Sequence, residues 1–177
     1  MNGGADGEGT PARPELDADT LAFAHRVLDF ARRGDVAELA PLLAQGLPPN
    51  LRNHKGDSLL MLASYHGHAA AARLLLQHGA DPELRNDQGQ SPLDGAAYKG
   101  DTPIVQLLLD GGANPAGASM DGRTPLMFAA MFNRLDVMEL LLARGADPAA
   151  RDGQGLTARD MALRMGASEA ASRLEAL

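Results

Sequence analysis

Apolar residues along this chain come in paired short runs, and each pair closes on glycine. From Thr124 to Pro148, Leu126-Met127-Phe128-Ala129-Ala130 precedes a break at Asn133; Val137-Met138 and Leu140-Leu141-Leu142 follow, then Gly145-Ala146-Asp147. The same order recurs from Ser91 to Pro115 and from Ser58 to Pro82. Gly56, Gly89, Gly122 and Gly155 stand 33 residues apart, as do Gly46, Gly79, Gly112 and Gly145. A fixed period of this size marks a stacked array, in which each unit buries its apolar face against its neighbours.

Each full unit predicts a turn and two helices. The turns are Lys55-Gly56-Asp57, Gln88-Gly89-Gln90 and Asp121-Gly122-Arg123, where glycine accepts a positive φ. Ser58, Ser91 and Thr124 follow as N-caps, and Pro92 and Pro125 suit the first helical position, whose N–H has no helical partner. Inner helices end at Gly67, Gly100 and Asn133, asparagine tolerating the left-handed conformation that glycine takes freely. Outer helices carry Leu74-Leu75-Leu76, Leu107-Leu108-Leu109 and Leu140-Leu141-Leu142, which offer leucine to the sister helix and to the next unit.

The ends of the chain depart from this pattern. A first unit lacks the turn motif. Its inner helix, capped by Asp19 or Thr20 and ended by Gly34, has Leu21, Phe23, Ala24, Val27, Leu28 and Ala31 on one apolar face. A second helix runs from about Asp35 to Ala44 and stops at Gly46. The last unit, from Gly155, loses the proline; its charges are expected on a solvated outer face, as a terminal cap requires. Residues 1–16, rich in glycine and proline and nearly devoid of apolar side chains, are expected to form a flexible tail.

Gly122-Arg123-Thr124-Pro125-Leu126-Met127-Phe128-Ala129-Ala130, and Gly67-His68 leading to Gly79-Ala80-Asp81, resemble the ankyrin repeat. The resemblance runs from about Leu21 to Leu177. It implies an all-α ankyrin-repeat solenoid of about five helix-turn-helix repeats including N- and C-terminal caps. Residues 17–177 form a single domain on this reading, with repeats at approximately 17–52, 53–85, 86–118, 119–151 and 152–177. One position departs: where the family carries histidine after Thr-Pro-Leu, this chain has Met61, Asp94, Met127 and Asp160. The bonding that histidine gives between turns is therefore absent or supplied by other groups. Asp94 and Asp160 stand three residues after Ser91 and Thr157, which suits a capping box better than catalysis.

Composition narrows the function. Hydrophobic residues make up 45% of the chain and aromatic ones 3%, so the core must be aliphatic. With no cysteine there is neither a thiol nucleophile nor a thiolate metal ligand; the chain suits a reducing cytoplasm, which is the expected location. The preponderance of arginine over lysine suggests a bacterial source. A net charge of −7 argues against nucleic acid or an anionic membrane as partner, and no apolar run approaches the ~20 residues that span a bilayer. The N-terminus lacks the charged and apolar segments of a signal peptide.

Candidate chemistry is sparse. The pair His66 and His68 has no ligand cluster around it, Ser58 and Ser91 are explained as caps, and the acidic residues follow turn positions. No catalytic residue, metal or cofactor is therefore expected. What the resemblance implies is a concave groove that binds another protein. The positions assigned to it are the pairs before each inner-helix stop: Arg32-Arg33, Tyr65-His66, Tyr98-Lys99, Met131-Phe132 and, in the cap, Arg164-Met165. Three of the chain's six aromatic residues fall there, and tyrosine is favoured in binding hot spots.

Lys55, Gln88, Met120 and Arg123, with Asp57 and Gln90, form the expected rim, and a hole is expected beside Gly95, where sister units carry Leu62 and Phe128. Arg32, Arg33, Arg52, His54 and Lys55 make the N-terminal end basic. The reading is a monomeric, non-enzymatic protein-binding module of scaffold, inhibitor, immunity-factor or chaperone type. A secreted effector acting on a host or competitor protein is the alternative, and an enzyme ranks below both.

Overall fold

A computed structural model describes residues 17–177 of the chain. Ten helices follow in order: α1 (Ala18–Arg33), α2 (Val36–Ala44), α3 (Leu59–Tyr65), α4 (Ala69–Gln77), α5 (Pro92–Lys99), α6 (Thr102–Asp110), α7 (Pro125–Met131), α8 (Leu135–Ala143), α9 (Ala158–Met165) and α10 (Ser168–Glu175). Odd-numbered helices stack in one row, each on the next, and α2, α4, α6 and α8 stack in a second row behind. The architecture is the predicted all-helical solenoid. Among the described residues the only β-type pairing noted is an isolated bridge between Arg52 and Ser58.

The core runs along the seam between the rows. Leu75, Leu108 and Leu141, the middle residues of the three leucine triplets, are fully buried; Leu109 is buried beside Leu108, and the other flanking leucines pack partly buried around them. Alanines at Ala63, Ala96, Ala97, Ala129 and Ala130 are also fully buried, which lets neighbouring inner helices approach closely. An aliphatic core with small residues between helices is what the low aromatic content required.

Helix ends follow the sequence with one correction. Ser58, Ser91, Thr124 and Thr157 each accept a hydrogen bond from the backbone N–H three residues on. Asp94 and Asp160 complete capping boxes. Asn133 takes φ 55° and is the only non-glycine residue with positive φ among those described. The first helix, however, is capped by Asp17, not by Asp19 or Thr20; its carboxylate accepts from the Thr20 N–H at 2.8 Å. Leu21 and Phe23 are also exposed, contrary to the apolar face assigned to them. α1 has 16 residues and α3 has 7, so the first turns of α1 extend past the helix on which they would pack. The C-terminal outer face is likewise not wholly polar, since Leu163 and Met165 are each more than half exposed. The tail assigned to residues 1–16 lies outside the described residues.

Candidate protein-binding groove

Inner helices end side by side, and their last residues form two columns along the array. One reads Arg32, Tyr65, Tyr98, Met131, Arg164; the other reads Arg33, His66, Lys99, Phe132, Met165. At two of these ends a side chain from the next repeat's loop reaches back to bond the helix-end carbonyl. His68 Nε2 donates to the Arg32 carbonyl at 2.9 Å, and Arg134 Nε donates to the Tyr98 carbonyl at 3.2 Å. Both side chains cross directly over a glycine: a Cβ on Gly34 would overlap the His68 ring, and one on Gly100 would stand 2.6 Å from Arg134 Cδ. His68 is thus a bridging group that satisfies a helix-end carbonyl.

The turn tips carry a second set of links that the sequence reading left open. Asn53 Oδ1 accepts from the Lys55 and Asp57 N–H groups at 2.8 and 2.9 Å, and Asn86 Oδ1 accepts from those of Gln88 and Gln90 at 3.1 and 3.0 Å. Asn86 Nδ2 then donates to Asp57 Oδ1 at 2.9 Å, tying one tip to the next. This network ties the Lys55–Asp57 turn to the Gln88–Gln90 turn without a histidine. Arg52 belongs to it as well, bonded to the Gly56 carbonyl at 2.9 Å and the Arg85 carbonyl at 2.8 Å. The signal for these residues was the 33-residue spacing of Asn53 and Asn86 and of Arg52 and Arg85, which the sequence reading did not use.

Between these tips and helices α3 and α5 lies a cleft of about 790 Å³. It brings together Arg32, Lys55, Tyr65, His66, Gln88 and Tyr98 of the expected residues, with Gly95 on its wall. Lys99 and Phe132 flank it: Lys99 Nζ lies 5.1 Å from the Tyr65 ring centre, and Phe132 meets Tyr98 edge-on at 4.6 Å. The rings therefore lean on the next repeat yet stay open, Tyr65 at 41% and Tyr98 at 39% exposure. Six expected residues lie apart from the cleft, Arg164 and Met165 at the end of α9 among them. Arg33 pairs with Asp29 at 3.3 Å, and Met131 packs against the core. Met120, 88% exposed, and Arg123, paired with Asp121 at 3.2 Å, occupy the next tip.

Electrostatics within the cleft are uneven. Burial holds the Asp94 carboxyl above its usual range, against the opposing pull of the Ser91 N–H and hydroxyl and the Arg85 guanidinium. Its Oδ2 accepts from Ser91 N–H at 2.8 Å and Arg85 Nη1 at 3.2 Å, while the buried Oδ1 has no hydrogen-bond donor. Desolvation lowers His66 below 6.5, and the positive charge of His68, Arg32 and Lys99 adds to that shift. Among the described residues no group of histidine, aspartate and glutamate is arranged to hold a metal ion.

This geometry accords with the sequence comparison: a family profile of ankyrin repeats, three copies long, matches residues 28–118 and 95–174. The chain belongs to the ankyrin-repeat family. It is also similar to an ankyrin repeat protein of Pseudomonas aeruginosa, 68% identical over 62 residues; that match covers 35% of this chain and 36% of the relative. Ankyrin repeats are generally protein–protein interaction modules and typically non-enzymatic. No helix among the described residues is long and apolar enough to cross a membrane.

Proposed function

We propose that this ankyrin-repeat protein binds a partner protein through the concave surface formed by the ends of its inner helices and its turn tips. The observation that carries this reading is the half-exposed pair Tyr65 and Tyr98, with the partly buried Phe132 against Tyr98, in a chain whose aromatic content is 3%. Burying such rings is favourable, so leaving Tyr65 and Tyr98 open forgoes stability that a partner would recover. The stacked helices and bonded turns also pre-organise the surface, so little conformational entropy is lost on docking. Whether the complex serves as scaffold, inhibitor, immunity factor or chaperone depends on the partner.

Affinity capture from the native host, comparing the wild type with the Tyr98→Ala/Phe132→Ala double variant, tests the reading. A protein retained by the first and lost from the second, with the helical circular-dichroism signal unchanged, is the expected outcome. Equal retention by both folded proteins would remove the aromatic column from the binding surface.

A further inference from the structure

Gly95 differs in kind from the other glycines described above. It is a glycine inside a helix, its φ is not positive, and a Cβ placed on it would meet Tyr65 Cδ2 at 3.4 Å, an ordinary contact. Neither backbone conformation nor close packing requires glycine here. Glycine in a helix interior is less stable than alanine, so α5 gives up stability to keep the position bare. In the sister helices the same place holds Leu62, Phe128 and Met161, all buried. The bare position opens a notch in the cleft wall, with Tyr65 and Tyr98 beside it and Leu62 on the neighbouring helix.

The charges around the notch are not balanced by the protein itself. Each acidic group lining the cleft already has donors: Asp57 has the Asn53 and Asn86 amides at 3.0 and 2.9 Å, Asp87 has Arg52 at 3.5 Å, and Asp94 has Arg85 at 3.2 Å. The cations are differently placed. Among the described residues Lys55 and Lys99 pair with no acidic group, and Lys99 rests only over the Tyr65 ring. Arg32, on the same side of the cleft, shares Asp29 with Arg33. Asp57, bonded only to neutral amides, keeps its negative charge, yet Lys55, Lys99 and Arg32 outnumber it, so a protein of net charge −7 presents an excess of positive charge at this cleft.

We propose that the Gly95 notch is the specificity pocket of the binding surface, and that its occupant is an acidic peptide segment of the partner. That segment inserts one large apolar side chain between Tyr65 and Tyr98 and sets carboxylates against Lys55, Arg32 and Lys99. The inference rests on the concave-surface reading and adds to it the chemistry of what binds. An apolar anchor in a desolvated pocket supplies affinity, and the surrounding charges select the partner and speed encounter.

The test uses the full chain and a displayed library of random peptides of about twelve residues, a length that spans a groove of this kind. Enriched sequences should carry one Leu, Ile, Met or Phe flanked by Asp or Glu. Their binding should weaken by about tenfold or more in Gly95→Leu, which fills the notch as Leu62 does in the neighbouring repeat. Lys55→Glu, a change at an exposed turn tip without a packing role, should weaken them as well, and wild-type binding should decline as salt rises. Should Gly95→Leu fold poorly, Gly95→Ala gives a smaller loss of binding with undiminished thermal stability.

Enriched peptides that are basic, that bind folded Gly95→Leu unchanged, or that fail to emerge at all would overturn the proposal. So would a single-stranded oligonucleotide that binds wild type and Gly95→Leu equally, since the cations would then be a generic anion surface. Peptides indifferent to the notch yet lost from Tyr98→Ala/Phe132→Ala would sink this inference alone and leave the concave-surface reading standing.

Discussion

Asp94 shows how one residue sets a local balance that spacing alone does not reveal. Its place three residues after Ser91 made the capping box legible in the sequence, and the structure has it, with Ser91 N–H donating at 2.8 Å. What the sequence could not convey is that the same carboxylate is fully buried with one oxygen lacking a donor. Burial outweighs the Arg85 pair and raises the carboxyl above 3.8. A carboxyl raised in the folded state contributes stability below its unfolded value and loses it as pH rises through the folded one. Asp94→Asn keeps an acceptor for Ser91 and removes the buried charge. It should therefore raise the denaturant midpoint at neutral pH, by a margin that shrinks as pH falls toward 3.8. Urea titrations of both proteins at several pH values decide this. A lower midpoint for the variant at neutrality would show that the pair with Arg85 outweighs the cost of burial.

At the scale of elements, the repeat pattern told helices from turns because each unit has the same places for caps, glycines and leucines. The packing of Leu108, fully buried in α6, follows directly from that register. Leu108→Ala should cost about 2–5 kcal/mol as a large-to-small change in a packed core, read from equilibrium unfolding. A variant as stable as the wild type would place Leu108 outside the core. Links that cross between units were less legible, because they join positions 29 to 37 residues apart that only the fold brings together. Asn133 is an example: the sequence explains its left-handed backbone, but its Oδ1 also accepts from the Ala170 N–H of α10 at 2.9 Å. α10 has Ala167 at its N-cap and no side-chain cap of its own, so Asn133 supplies from the previous unit what Asp101 supplies within α6. Likewise the aromatic column was visible as a list of residues, whereas the cleft that joins only part of it to Lys55 and Gln88 depends on how the tips fold back.

For the whole molecule, an array in which each repeat touches only its neighbours is weakest at its ends. The C-terminal unit is joined to the rest by α9 on α7 and by α10, which packs on α9 and touches α7. A shallow cleft lined by Leu135, Glu139, Ser168 and Ser172 separates α10 from α8, spanned by the Arg173–Glu139 ion pair. Hydrogen bonding to Arg173 holds Glu139 below its usual range, and bonding to the Thr157 N–H and hydroxyl does the same for Asp160 at the start of α9. A carboxylate lowered in the folded state gives stability above its unfolded value, 4.5 for Glu139 and 3.8 for Asp160, and loses it as pH falls through the folded one. Glu139 is exposed and Asp160 only partly buried, so each contribution is small, yet both act on the same terminal unit. Acidification from neutrality to below 3.8 should therefore reduce amide protection in α9 and α10 before it does so in α5, whose Asp94 is shifted the other way. Hydrogen exchange, corrected for the intrinsic pH dependence of the amide, measures this directly. Protection lost uniformly along the array would mean that the repeats unfold as one cooperative block, and that these two carboxylates do not set where acid unfolding begins.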